Sequence, residues 1–142
     1  MSPAAPLDEA GLRTWGARVG ASIVVPAVVT LRGDLGAGKT TLAQAIAHGA
    51  GVLQEVTSPT FALVHEYESA RGPLAHLDLY RLQSPDDLYA LGWDDLLRTA
   101  ALVIVEWPER AGALLPRRRY DLTLHEPRDD PSHRRVEVVW TD

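Results

Sequence analysis

The sequence predicts a single α/β domain: a mostly parallel central sheet, helices on both faces and an antiparallel edge. Three observations carry this. Short apolar runs alternate with helix-spaced sections, and the most apolar run, Ala101-Leu102-Val103-Ile104-Val105, has the composition of a strand buried on both faces. A glycine-rich stretch, Gly33-Asp34-Leu35-Gly36-Ala37-Gly38-Lys39-Thr40-Thr41, joins the strand-like run Ala27–Leu31 to a helix-spaced one. Finally, Arg119–His125 and Arg134–Trp140 both alternate across the polar turn Glu126–His133, as an antiparallel pair does.

Taken in order, residues 1–6 read as flexible, and a helix follows over Asp8–Val19 with Asp8 as its cap and Leu12, Trp15 and Val19 on one face. Gly11 and Gly16 weaken that helix. Pro26 sets Ile23-Val24-Val25 apart from the strand Ala27–Leu31. After the glycine-rich stretch, Leu42, Ala43, Ile46 and Ala47 keep helical spacing, closed by Gly49 and Gly51. Phe61–Glu68 reads as an edge strand, joined through the turn Ala70-Arg71-Gly72-Pro73 to a strand over Leu74–Arg81. Ser84-Pro85-Asp86-Asp87 is a helix start, with a break at Gly92. Pro108 opens a short helix running to Leu115. No repeat and no linker divides the 142 residues, so residues 1–142 read as one domain.

Residues Gly33–Thr40 fit G-x-x-x-x-G-K-[ST], the phosphate-binding loop, and the strand before it and helix after it match a P-loop NTPase fold. Glycines let successive backbone N–H groups turn towards a polyphosphate, and the helix N-terminus adds its positive dipole end. Asp34, Leu35, Gly36, Ala37, Gly38, Lys39, Thr40 and Thr41 are therefore the expected nucleotide-binding residues. Lys39 would reach the β and γ phosphates, and the Thr40 hydroxyl would ligate Mg²⁺. Lys39 is the only lysine; the other thirteen basic residues are arginine, whose planar fork does not replace a compact ammonium here.

Composition bounds the function. There is no cysteine, so disulfides and thiolate metal sites are excluded. No apolar run approaches the ~20 residues of a membrane span, and a cytoplasmic location is the expectation. A net charge of −5 argues against a broad nucleic-acid surface, and Arg117-Arg118-Arg119 reads as a solvated charge run. The chain has no asparagine, which removes the Asn-Lys-x-Asp loop of guanine-specific GTPases and favours ATP.

A phosphate loop of this kind needs a further acid near the phosphates to hold Mg²⁺ or orient water. Asp78, in His76-Leu77-Asp78-Leu79-Tyr80, shares a strand face with His76 and Tyr80; Glu106 ends the apolar run 101–105. The sequence does not divide metal ligation and water orientation between them. Thr60, in Ser58-Pro59-Thr60, stands where a switch-type threonine completes a Mg²⁺ shell, and turn chemistry explains it equally well. Trp107 reads as a core aromatic or a wall of the site. His76 reads evenly as a partner of the acids or a satisfied core histidine.

The glycine-rich stretch, Ser58-Pro59-Thr60-Phe61, His76-Leu77-Asp78-Leu79-Tyr80-Arg81 and Glu106-Trp107-Pro108-Glu109 together resemble the bacterial TsaE (YjeE) family in order and approximate spacing. The likeness runs from about Leu12 to Val139. It implies a small P-loop ATPase binding ATP or ADP with Mg²⁺, weak alone and stimulated by partners. With TsaB and TsaD it serves the threonylcarbamoyl modification of the tRNA adenosine beside the anticodon, touching tRNA only through the complex. Carried over by position, Lys39, Thr40 and Thr41 are phosphate and Mg²⁺ groups, and Thr60 is the switch threonine. Asp78 is then the Walker-B-like acid, Glu106 an acid on the Mg²⁺ side, and Trp107 the tryptophan near the site. Of Arg134 and Arg135, one matches an arginine near the nucleotide. The chain departs from the family at Leu12, where a threonine is usual near the base. Two other classes stay open on the residues alone: a small-molecule kinase, and a binding module switched by nucleotide without essential hydrolysis.

Overall fold

The computed structural model describes residues 1–34, 36–57 and 63–142. Helix α1 (Glu9–Ser22) begins at Asp8, whose carboxylate accepts the Gly11 N–H at 2.8 Å, as the sequence predicts for its cap. Strand β1 (Ala27–Arg32) leads through the glycine loop into helix α2 (Lys39–Gly49). Strands β2 (Val64–Ser69) and β3 (Gly72–Asp78) form the expected hairpin. Two short helices, α3 (Asp87–Ala90) and α4 (Trp93–Thr99), lead to β4 (Leu102–Glu106), and β5 (Arg119–His125) and β6 (Arg135–Thr141) close the chain.

The six strands are ordered β2-β3-β4-β1-β5-β6. The central pairs β3/β4, β4/β1 and β1/β5 are parallel, while β2/β3 and β5/β6 are antiparallel. Both edges are thus antiparallel, as the two strand pairs read from the sequence imply. Strands that alternate with helices must cross over to pair in parallel, whereas each edge is a hairpin joined by a direct turn. Strand alternation sends Val29, Leu31, Leu74, Leu102, Ile104, Leu122 and Leu124 to one face, under α1 and α2. Ala75, Leu77, Val103 and Val105 face the other way, under Leu88, Trp93 and Leu96 of α3 and α4.

Several expectations shift. Strand β3 stops at Asp78 rather than Arg81: the Leu79 N–H turns to the Glu106 carbonyl at 3.1 Å and Leu82 bonds back to Leu79. Tyr80 therefore lies beyond the strand, and only His76 and Asp78 share its face. The single helix expected over 108–115 is two 3₁₀ turns, Pro108–Arg110 and Gly112–Leu114, because Gly112 sits at φ 55 and breaks the run. Gly16 and Gly20 of α1 and Gly49 of α2 turn out to be packing residues. A Cβ at Gly20 would stand 1.9 Å from the Ile46 carbonyl oxygen, and one at Gly49 would stand 2.0 Å from that of Ala17. The two helices cross backbone to backbone, which fixes α2, and with it the glycine loop, on the sheet.

Candidate functional site

The glycine loop lies at the carboxyl ends of parallel strands β1 and β4, where open α/β sheets bind ligands. Gly36 and Gly38 have φ of 79 and 99, which only glycine adopts without strain. A Cβ at Gly36 would meet no atom within 4 Å, so the loop faces open space there. Gly38 is the N-cap of α2 and brings no side chain, leaving the first-turn N–H groups of the helix free for an anion.

Lys39 is only 5% exposed, and its ammonium donates to the carbonyls of Gly33 at 2.5 Å and Asp34 at 2.9 Å. The Trp107 ring lies above it, 4.1 Å from nitrogen to ring centroid. Burial pulls the lysine pKa below its ordinary value, against the opposing pull of Glu106, Glu109, Asp78 and Asp34. Trp107 holds this position through a left-handed backbone, φ 57, a costly conformation for a bulky residue. Its ring also packs on Tyr80, with centroids 5.0 Å apart.

Glu106 ends β4 inside the molecule, 2% exposed. One of its oxygens accepts the Thr40 hydroxyl at 3.2 Å, and the other lies 2.6 Å from His76 Nε2. Asp78 is its partner in the β3/β4 register and accepts the Tyr80 N–H at 3.0 Å. Burial raises the Asp78 pKa, the Tyr80 hydrogen bond opposes that rise, and Glu106 adds to it. A cleft of about 330 Å³ is lined by Gly36, Gly38, Lys39, Thr40, Thr41, Asp78, Glu106 and Trp107. The structure thus gathers most of the expected residues around one cleft. Thr60 and Leu35 lie outside the described residues, as does the whole Ser58-Pro59-Thr60-Phe61 motif.

Arg134, not Arg135, reaches the loop: its guanidinium donates to the carbonyls of Ala37 at 2.9 Å and Gly36 at 3.3 Å. It also holds the carbonyls of Pro131 and His133, so it ties the β5–β6 turn to the glycine loop. A second cleft of about 210 Å³ adjoins the first, sharing Gly36, Gly38 and Thr41, and extends over Leu7, Asp8, Glu9, Leu12, Pro131 and Ser132. Sequence reasoning marks only Leu12 among these; Asp8 and Glu9, one turn earlier, carry the one signal that could have found them. Also missed is a polar group beneath the loop strand. Asp121 of β5 accepts from the buried Thr30 hydroxyl of β1 and from Arg119 at 3.0 Å, with Arg32 at 3.9 Å. This commits Arg119 of the arginine run to its own strand.

Among the described residues, no group of three or more His, Cys, Asp or Glu forms a metal cage. Thr40, Glu106 and Asp78 instead offer hard oxygen donors beside an anion cradle. That set fits Mg²⁺, which keeps several waters and shares its shell with phosphate oxygens.

A relative from Nostoc sp., described as tRNA threonylcarbamoyladenosine biosynthesis protein TsaE, is 39% identical over 107 residues, 72% of this chain and 65% of its own length. A protein of the same description from Synechocystis sp. is 40% identical over 99 residues, 68% of this chain and 63% of its own. The chain therefore matches somewhat less than two thirds of the length of either. A crystal structure of YdiB from Bacillus subtilis superposes with a TM-score of 0.74 at 28% identity, covering 96% of this chain and 82% of that one. The model of the threonylcarbamoyl adenosine biosynthesis protein TsaE matches residues 7–136, and the chain belongs to the TsaE family.

Proposed function

We propose that this chain has the P-loop NTPase fold and is the Mg²⁺-dependent ATP-binding and slowly ATP-hydrolysing subunit of a cytoplasmic assembly with TsaB and TsaD homologues. The assembly forms the threonylcarbamoyl modification of the tRNA adenosine beside the anticodon. The observation that carries the reading is the cleft that sets Lys39, the open N-terminus of α2, Thr40, Asp78 and Glu106 around one space.

The loop N–H groups from Asp34 to Thr41 hold phosphate oxygens in this reading. Lys39 exchanges the carbonyls of Gly33 and Asp34 for phosphate, a better partner for a buried ammonium. Thr40, Glu106 and Asp78 would hold Mg²⁺ with Thr60 completing the set, and Asp78 or Glu106 would orient the attacking water. Arg134 fixes the loop carbonyls that flank the phosphates, and Trp107 walls the cleft. Mg²⁺, when bound there, would supply neutralisation of the phosphate charge. The second cleft, with Leu12 in its wall, takes the nucleoside end of ATP or ADP. An acidic chain leaves tRNA to its partners.

ATP binding by calorimetry, and hydrolysis with and without purified TsaB–TsaD, test this. Lys39→Ala should weaken ATP binding by about 100-fold, the loss of one charge-assisted contact of about 2.7 kcal/mol. The partners should accelerate a Lys39-dependent rate. Normal ATP binding by Lys39→Ala would reject the site, and partners that neither bind nor change the rate would reject the tRNA role.

A further inference from the structure

His76 and Glu106 sit on neighbouring strands and, by the alternation that sends Leu74 and Ile104 towards α2, face the same side of the sheet. They are 0% and 2% exposed, and His76 Nε2 lies 2.6 Å from Glu106 Oε2. The other carboxylate oxygen, Oε1, meets the Thr40 hydroxyl at 3.2 Å. The second imidazole nitrogen, Nδ1, is buried and has no hydrogen-bond partner among the described residues.

That unpartnered nitrogen discriminates between the arrangements the pair can take. The Nδ1–H tautomer would leave its donor facing nothing and turn a lone pair towards the carboxylate. The Nε2–H tautomer spends its only donor on the carboxylate and leaves just a bare lone pair at Nδ1. It is the cheaper of the two.

We propose that His76 is the positioning residue of the site: as the Nε2–H tautomer it donates to Oε2 of Glu106 and so turns Oε1 towards Thr40. A glutamate carboxylate rotates broadly about its last torsion, and a strand end does not by itself fix that plane. A donor behind Oε2 fixes it, as partners behind metal-binding groups commonly do. The inference rests on the nucleotide reading for what Glu106 then does, while the hydrogen bond and tautomer stand apart from it.

Long-range ¹H–¹⁵N correlation spectra of the full chain labelled at its five histidines test the tautomer with no nucleotide present. The signals lost in His76→Gln identify the residue. They should show the Nε2–H tautomer with Nδ1 bare; an Nδ1–H tautomer would overturn the proposal. Positioning is read from side-chain geometry: a glutamine amide reaches the Nε2 place, whereas an asparagine amide reaches only that of Nδ1. Both bury one amide. With Mg²⁺ and ATP, His76→Asn and His76→Leu should lower kcat by about 100-fold with KM little changed, whereas His76→Gln should stay within about 10-fold of wild type. Equal losses in Gln and Asn, matched by equal losses of Tm, would reduce His76 to packing and overturn the assignment. If wild-type protein binds no nucleotide, the functional reading fails, and the spectra still uphold or overturn the hydrogen bond.

Discussion

The two faces of the sheet are built on opposite principles. On one, α1 and α2 touch backbone to backbone through Gly20 and Gly49, with Gly16 against Ala45. On the other, α3 and α4 are short and held off the sheet by large side chains, above all Trp93, 1% exposed with its indole N–H on the Leu114 carbonyl at 3.0 Å. The first face leaves no room to add an atom; the second depends on the atoms it has. Lys39, Thr40, His76, Asp78 and Glu106 all belong to the tight face or its upper rim. The proposed phosphate cradle would tolerate little displacement, and contact between main chains permits the least.

Opposite substitutions should therefore break the two faces. Trp93→Ala should cost about 4 kcal/mol by emptying the second core, measured by urea unfolding, with nucleotide affinity of the folded fraction almost unchanged. Gly20→Ala should cost about 3 kcal/mol, since a single Cβ collides with the Ile46 carbonyl, and it should also weaken nucleotide binding because α2 must move. A Gly20→Ala protein with wild-type stability would show that the helices can part cheaply and would erase the contrast.

The smallest effect concerns the rim. Burial raises the folded pKa of Asp78, so the folded chain holds that proton more tightly than the unfolded one. The stabilisation is fully present below the ordinary carboxylate value and is lost as pH rises through the raised one. Asp78→Asn should flatten this dependence and raise stability at neutral pH by less than about 1 kcal/mol, while turnover falls. Thermal melts across pH 3 to 7 would check it, the range being about that of carboxylate titration. An unchanged pH profile in the variant would remove Asp78 from the account.

The contrast between the faces also marks what could be read in advance. The glycine loop, the Asp8 cap, the buried run of β4 and the hairpins are local patterns, and each stands where its residues predict. The glycines of α1 and α2 are not local: Gly16 reads as a weakness and Gly49 as a stop until the opposing backbone is in view. Parallel pairing of β5 with β1 is likewise invisible, because crossover order leaves no periodic trace in a strand. In the site, Asp78 and Glu106 announce themselves as acids on or ending apolar strands. The bond between His76 and Glu106 spans thirty positions and depends on a register that only the folded sheet provides. Thr30, a hydroxyl inside the run of β1, is the one visible sign of the Asp121 group below.

The single lysine has a practical consequence. A chain with one side-chain amine turns acylation, ordinarily a scattered modification, into a reading of one position. Beneath Trp107 and against two carbonyls, that amine is shielded from reagents. The mass added over time to its peptide would then record how often Lys39 leaves its two carbonyls, with single-residue resolution coming from composition alone.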